Sequence, residues 1–488
     1  MCARLMFRRT IAIVVALVGV FCAAPASADL LVYKTDKVQM TVQGKVYVNP
    51  GQTVTLVHPK FGQLHFSLES VEIHKAPTPQ QQYSKQFARA QQANDTTAMF
   101  KACVWALKHG LLEQYFDGVN KILAIDPQHP EALRVIELKR KMDEPIYDSA
   151  QQVKELKQLI RNDGMKIAQS AHFVLLHDTP EKPAEGSKVS RAEERLALLE
   201  RVYASFLLLF YSRGMELEIP KERMKVVLFN EYDDYYQFAV AHSPSLASAA
   251  GFYDPAINTS VFYDHGTDQG FKVLQAVSKI YQKQADDAIR QKLKGQAELI
   301  RFARTLKVLI QIAQENEDIT LVSHEATHQM AGNTGLFPRH VYVPSWVHEG
   351  LATYFEAPGD ATWAGIGAVN RDRLDWYRAL EGDRQHSNIE FIVSDQVFDL
   401  AGNLATRIHA YGQAWALTHF MLENEFDKMM EYYRALGELP PNLQFNPETL
   451  QQVFNRVFGD DHRGLDQRWR AYMRSLKTDK ELILQESE

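Results

Sequence analysis

In "VSHEATHQM", Val322 to Met330, two histidines stand four residues apart with a glutamate directly after the first. On a helix, residues four apart share a face one turn from each other. His324 and His328 can therefore offer imidazole nitrogens to one metal ion, and Glu325 points beside that axis, where it can hold a water. The apolar residues Ile319, Leu321 and Val322 run into the pair, and Gly332 marks a helix end. Two histidines are half a site: a catalytic metal needs a third protein ligand and an open position. "PSWVHEGLATYFE" supplies candidates on a second helix. Glu349, 21 residues after His328, is the strongest, and Gly350 after it permits close helix packing. His348 and Glu356 are rivals, the first about 100° from Glu349 around the helix and the second two turns further on. Ser323 has no triad around it, and no glycine-rich phosphate loop follows a strand, so nucleotide chemistry has no seat.

"HEATHQ" followed by "PSWVHEGLATYFE" resembles the gluzincin group of zinc metallopeptidases, whose third ligand is a glutamate on the next helix. With "GFYDPAINTSVFYD" upstream and "YGQAWALTHFM" downstream, the pattern is similar to a bacterial group of exported, mostly uncharacterised proteins with a peptidase-like domain. The resemblance covers roughly residues 220–430. It implies one zinc ion per chain, held by His324, His328 and Glu349. Glu325 would then be the general base that activates a zinc-bound water. Tyr411, 62 residues beyond Glu349, is the candidate donor to the oxyanion, with His409 and His419 as alternatives. The strand at 258–263 is either a substrate-binding edge or a core hairpin. One departure stands out. Thr353 occupies the place where the thermolysin-like version has a carboxylate supporting the first histidine; Asp372 and Asp375 are the other sources considered.

These residues need a frame. A chain of 488 residues with 45% apolar and 23% charged content is ordinary globular sequence, long enough for two or three domains. The net charge of −6 gives no reason to expect nucleic acid or an anionic membrane, and the basic residues read as dispersed. Arg4, Arg8 and Arg9 precede an apolar run and "PASADL", which reads as a signal peptide over 1–28, cut after Ala28. Export to a periplasm or the exterior follows. The mature chain then keeps one cysteine, Cys103, in an apolar helical pattern.

The expected fold is α+β. A small β-barrel or sandwich fills 29–75, a helical module resembling tetratricopeptide hairpins fills 83–175, and 191–465 form a mainly helical gluzincin-like domain with a small sheet. Residues 145–170 read as helical, 177–190 as a loop, and 466–488 as a polar tail. The expected partners are a peptide or protein substrate and a protein bound through the helical module, with no nucleic acid and no nucleotide. The competing function is a non-catalytic envelope scaffold on a peptidase-like fold.

Overall fold

The computed structural model describes residues 29–34, 39–183, 187–356 and 359–486. The expected signal peptide lies outside them. Strands β1 (Asp29–Lys34), β2 (Gln39–Asn49), β3 (Thr53–His58), β4 (Gly62–Ser67) and β5 (Val71–His74) form one antiparallel sheet in the order β4-β3-β2-β1-β5. β2 pairs with β1 through Gly44 and with β3 from Lys45 onward. At that handover a Cβ on Gly44 would stand 2.6 Å from the Val57 carbonyl oxygen, so no side chain fits. No ladder joins β4 to β5 among the described residues, so the strands do not close into the expected barrel. The sheet's apolar face, with Leu31, Val54, Leu56, Leu64 and Phe66, is covered by Val308 and Ile312 of a long later helix.

Helices α1 (Pro79–Gln92), α2 (Thr96–Lys108), α3 (Leu112–Ile125) and α4 (Pro130–Met142) follow, each packed on the next. α1 begins before residue 83, where the helical module is expected to start, because Thr78 and Gln81 form a reciprocal capping box around Pro79. Cys103 is fully buried, and burial pushes its thiol up to about 12, far from reactivity. These are two helical hairpins, fewer than a stacked array needs. Their inner residues, from Tyr83 to Met142, join the same hydrophobic core as the later helices.

After α5 (Ala150–Leu159) the helical expectation fails. Residues there form β6 (Lys166–Gln169) and β7 (Phe173–His177), which belong to a second sheet. α6 (Arg191–Tyr211), β8 (Met224–Phe229), α7 (Tyr232–His242), β9 (Gly251–Asp254) and β10 (Thr259–Tyr263) complete it, in the order β6-β7-β8-β10-β9. β7, β8 and β10 are parallel; β6 and β9 are antiparallel edges. β7 and β10 are buried at every residue, as strands covered on both faces must be. Leu156, Tyr235 and Ala239 of α5 and α7 cover one face.

The remainder is helical: α8 (Gln269–Arg290), α9 (Gln296–Asn333), α10 (Ser345–Phe355), α11 (Arg371–Leu380), α12 (Ile389–Val393), α13 (Gln396–Asp399), α14 (Leu404–Asn424), α15 (Phe426–Gly437), α16 (Pro447–Phe458), α17 (His462–Ser475) and α18 (Asp479–Glu486). The expected polar tail is in large part α17, which buries Leu465, Trp469 and Met473. Its four-residue spacing, continued from Leu465, is that of a packed helix. Among the described residues no helix is long and apolar enough to cross a membrane.

α9 runs 38 residues, about 57 Å. An ion network fixes its middle. Arg195 of α6 donates to both Glu315 oxygens at 3.1 Å and to Asp318 at 2.8 Å, with all three side chains buried. Arg191 adds bonds to Glu315 and Asp264, Lys60 reaches Glu315 at 2.9 Å, and His265 meets Asp318. Burial opposes the charge on Glu315, but Arg195 prevails and holds its carboxyl at about 2; Asp318 is likewise held low. A carboxyl lowered on folding stabilises above its unfolded pKa, and that contribution disappears as pH falls through its folded value. The urea midpoint is therefore expected to drop between pH 5 and pH 2. Arg195→Met, which strands two buried carboxylates, should cost about 3–5 kcal/mol at pH 7. An Arg195→Met protein with an unchanged urea midpoint would refute this role.

Candidate metal centre

The end of α9 lies wholly inside the protein. Every residue from Leu321 to Ala331 is buried, including His324, Glu325 and His328. The two histidine rings stand edge to face, with Nε2 atoms 3.0 Å apart. Glu349 of α10 completes the cluster: its Oε2 lies 3.0 Å from His324 Nε2 and 3.7 Å from His328 Nε2. A point equidistant from three atoms so spaced is about 1.9 Å from each, close to the ~2.0–2.1 Å of zinc bonds to imidazole and carboxylate. The donors thus fit a divalent cation.

Electrostatics agree with that fit. Glu356 Oε1 lies 2.5 Å from His324 Nδ1, and a carboxylate can only accept, so Nδ1 carries the proton and Nε2 turns toward the other ligands. Arg373 of α11 grips the second Glu356 oxygen twice, at 2.9 and 2.7 Å. Three carboxylates, Glu325, Glu349 and Glu356, stand around the histidines, and among the described residues the guanidinium bonded to them is that of Arg373. Burial opposes charge on His324, yet bonds to Glu349 and Glu356 hold its pKa well above the ordinary value. Burial and the neighbouring His348 push His328 down to about 3. Burial raises Glu325 to about 7, against the pull of His324.

α10 is anchored at both ends. Asp395 accepts from the Ser345 and Trp346 amides at 2.7 and 2.9 Å, capping the first turn from a distant part of the chain. At the other end Trp363 donates to the Phe355 carbonyl, and Asn370 to that of Glu356. A Cβ on Gly350 would collide with Thr418 and stand 2.8 Å from the Ala414 carbonyl of α14. The small residue after Glu349 thus serves the α10–α14 contact. Gly412 does the same between α14 and α11, where a Cβ would stand 2.9 Å from Trp376.

α14, held between these helices, places Tyr411 beside the cluster. Its ring centre is 6.3 Å from that of His324, and the Arg373 guanidinium lies over it at 5.3 Å. Burial, the charges of Glu349 and Glu325, and a hydrogen bond to Glu349 raise its pKa, so the hydroxyl remains a donor. Residues 318–442 match a family described as "Protein of unknown function (DUF1570)". The match takes in the metal cluster, Glu356, Arg373 and Tyr411. No curated protein and no solved structure matched the chain.

Other expected residues fall elsewhere. His419 is bonded to the Gly367 carbonyl and the Tyr472 hydroxyl, and no contact among the described residues links His409 to the cluster. His348 stacks on His328 at 3.8 Å with nearly parallel rings, and its Nδ1 lies 3.9 Å from Glu349 Oε1; it is not part of the His324–His328–Glu349 cluster. Asp375 pairs with Arg371 and Arg378 at the surface, and Asp372 is exposed. Neither supports His324; Glu356 does. β10, expected as the substrate edge, is paired on both sides, so the free edge is β9. There Gly251 sits against Leu321, and the Tyr253 backbone favours the charged form of the Glu325 carboxyl.

Glu356 was legible: seven residues after Glu349 is two turns of one helix, hence the same face. Arg373, Asp395 and the Tyr253 amide left no local signal. Glu356→Gln, which keeps an acceptor and removes the charge, should weaken zinc binding about 10–100-fold in a chelator competition. Glu349→Ala should abolish stoichiometric binding. Unchanged affinity in both would remove the site.

Proposed function

We propose that the chain is a zinc-dependent peptidase acting outside the cytoplasm. The observation that carries this is the buried triangle of His324, His328 and Glu349, with Glu325 on the same helix and Tyr411 at its side. His324, His328 and Glu349 would hold the ion. Zinc, when bound there, lowers the pKa of a water and polarises a carbonyl.

The chain's own groups supply the rest. An extended peptide adds to the free edge of β9 by main-chain hydrogen bonds, which brings its scissile carbonyl to the end of α9. Glu325 accepts the proton of the attacking water and delivers it to the leaving amine; the Tyr253 amide orients its carboxylate. Tyr411, kept protonated by its surroundings, donates to the oxyanion as negative charge develops. Arg373 holds Glu356, and Glu356 holds His324, so the first ligand keeps its tautomer through the cycle.

The chain from Asp29 onward should purify with about one zinc, measured by elemental analysis, and cleave unfolded polypeptide. Glu325→Gln should keep the metal and lose cleavage, while Tyr411→Phe should keep the metal and lower kcat by about 10²–10³. The envelope-scaffold reading requires the opposite: no cleavage by the unaltered protein, and no consequence of Glu325→Gln.

A further inference from the structure

α8 packs on the first half of α9, with the two helices joined by residues 291–295. The residues that α8 buries are small: Ser278, Ala285 and Ala288. Its large aliphatic residues face outward. Val273 is 54% exposed, Leu274 45%, Val277 39% and Ile280 56%. The exposure continues through Ile289, Leu293 in the turn, and Phe302 on α9, which packs edge-on against Tyr281. This inverts the usual arrangement of a surface helix, which buries its large apolar residues and turns its polar ones to water.

The charge pattern matches the exposed face. Residues 269–307 hold nine Lys and Arg against three Asp and Glu, a surplus of six positive charges in a chain whose net charge is −6. Nine of the chain's 54 basic residues lie in this one hairpin. Lys272, Lys279, Lys283 and Arg290, spaced by seven, four and seven residues, form one row along α8. Val273, Val277 and Ile280, spaced by four and three, form a neighbouring row. The turn "QKLKG" presents Leu293 between two lysines.

We propose that this hairpin is a membrane-surface anchor that lies in the interface of an anionic bilayer. Aliphatic side chains beside a basic row describe a helix that sinks its apolar face to the headgroup boundary while lysines reach anionic headgroups. Lipid tails accept Val, Leu and Ile with no shape of their own to match. Nucleic acid offers the lysines phosphates but gives the aliphatic row no partner. A second copy docked face to face would set one basic row against the other. The anchor leaves the metal-binding end of α9 free and holds it beside the membrane.

The test is co-sedimentation of the chain from Asp29 onward with vesicles. One set contains about one-third phosphatidylglycerol and the other phosphatidylcholine alone. At 0.1 M salt, binding to the anionic vesicles should be at least tenfold tighter and should weaken as salt rises. Lys279→Glu with Lys283→Glu should weaken it at least tenfold, and so should Val277→Asn with Ile280→Asn. Lys121→Glu, on α3, should leave it unchanged. All are exposed or half-exposed positions, and unchanged circular dichroism and zinc content would show intact folding. Equal binding to both vesicle types, or indifference to the α8 substitutions, overturns the proposal. So does a dimer in sedimentation analysis that Val277→Asn with Ile280→Asn dissociates, or tighter capture of duplex DNA than of anionic vesicles.

Discussion

The buried contact between Glu356 and His324, at 2.5 Å, is the constraint from which the site's geometry follows. An imidazole inside a protein can turn either nitrogen toward a partner, and only an acceptor on Nδ1 commits Nε2 to the ligand position. The acceptor is itself a buried carboxylate, which would be costly alone. Arg373 offsets that cost with two bonds, so α11 has to lie where its guanidinium reaches the chain leaving α10. Gly412 allows α11 and α14 to touch, and Gly350 allows α14 and α10 to touch. The three helices form a closed circuit around one hydrogen bond, and Tyr411 occupies its inner side.

The charge balance of that circuit has a direction. Glu325, Glu349 and Glu356 bring three negative charges into a desolvated volume, and Arg373 returns one positive charge. The protein part of the answer is visible in the raised pKa of His324 and of Glu325, since holding a proton is how a buried group avoids uncompensated charge. A divalent cation meets the same deficit and uses the lone pairs that those protons would occupy. The spacing of His324, His328 and Glu349 could hold such a cation, and the surplus of carboxylates around them would favour it. The acid network about two turns earlier on α9 is different in kind. There Arg195, Arg191 and Lys60 are set among Glu315, Asp318, Asp264 and Glu194, and the groups tie α6, α9 and the first sheet together.

What could be read from the sequence divides along physical lines. Contacts between residues a few positions apart on one element follow from helical periodicity, so His324, Glu325 and His328 were legible, and so was Glu349 opposite them. The same rule, followed two turns along α10, reaches Glu356, whereas Asp372 and Asp375 stand at the surface. Arg373, lying between them, leaves no local signal. Contacts across the chain carry no such pattern: Asp395 caps α10 from 50 residues away, and the Tyr253 amide belongs to a backbone whose identity says nothing about its partner. The sheets show the same division. A single strand such as β10 is recognisable by composition, but the order that leaves β9 at the edge is a property of pairing, and α17 reads as a tail because charge at its surface positions conceals Trp469.

α9 joins these separate designs because a helix is stiff along its axis. Its first half carries exposed Phe302 and the residues that cover the small sheet, its middle carries the ion network, and its last turns carry the metal ligands. The polar residues change role with depth: arginines 301 and 304 near water, paired carboxylates at the level of α6, and the candidate metal cluster beyond them. Each depth imposes its own rule, since charge near the surface is screened, charge at mid-depth needs a counter-charge, and charge in the core needs one shared among several groups. A single helix crossing all three zones therefore sets where the chemistry sits relative to the surface. The distance from the exposed hairpin to the His324–His328–Glu349 cluster is determined by the number of residues between Gln296 and His324 rather than by any flexible connection.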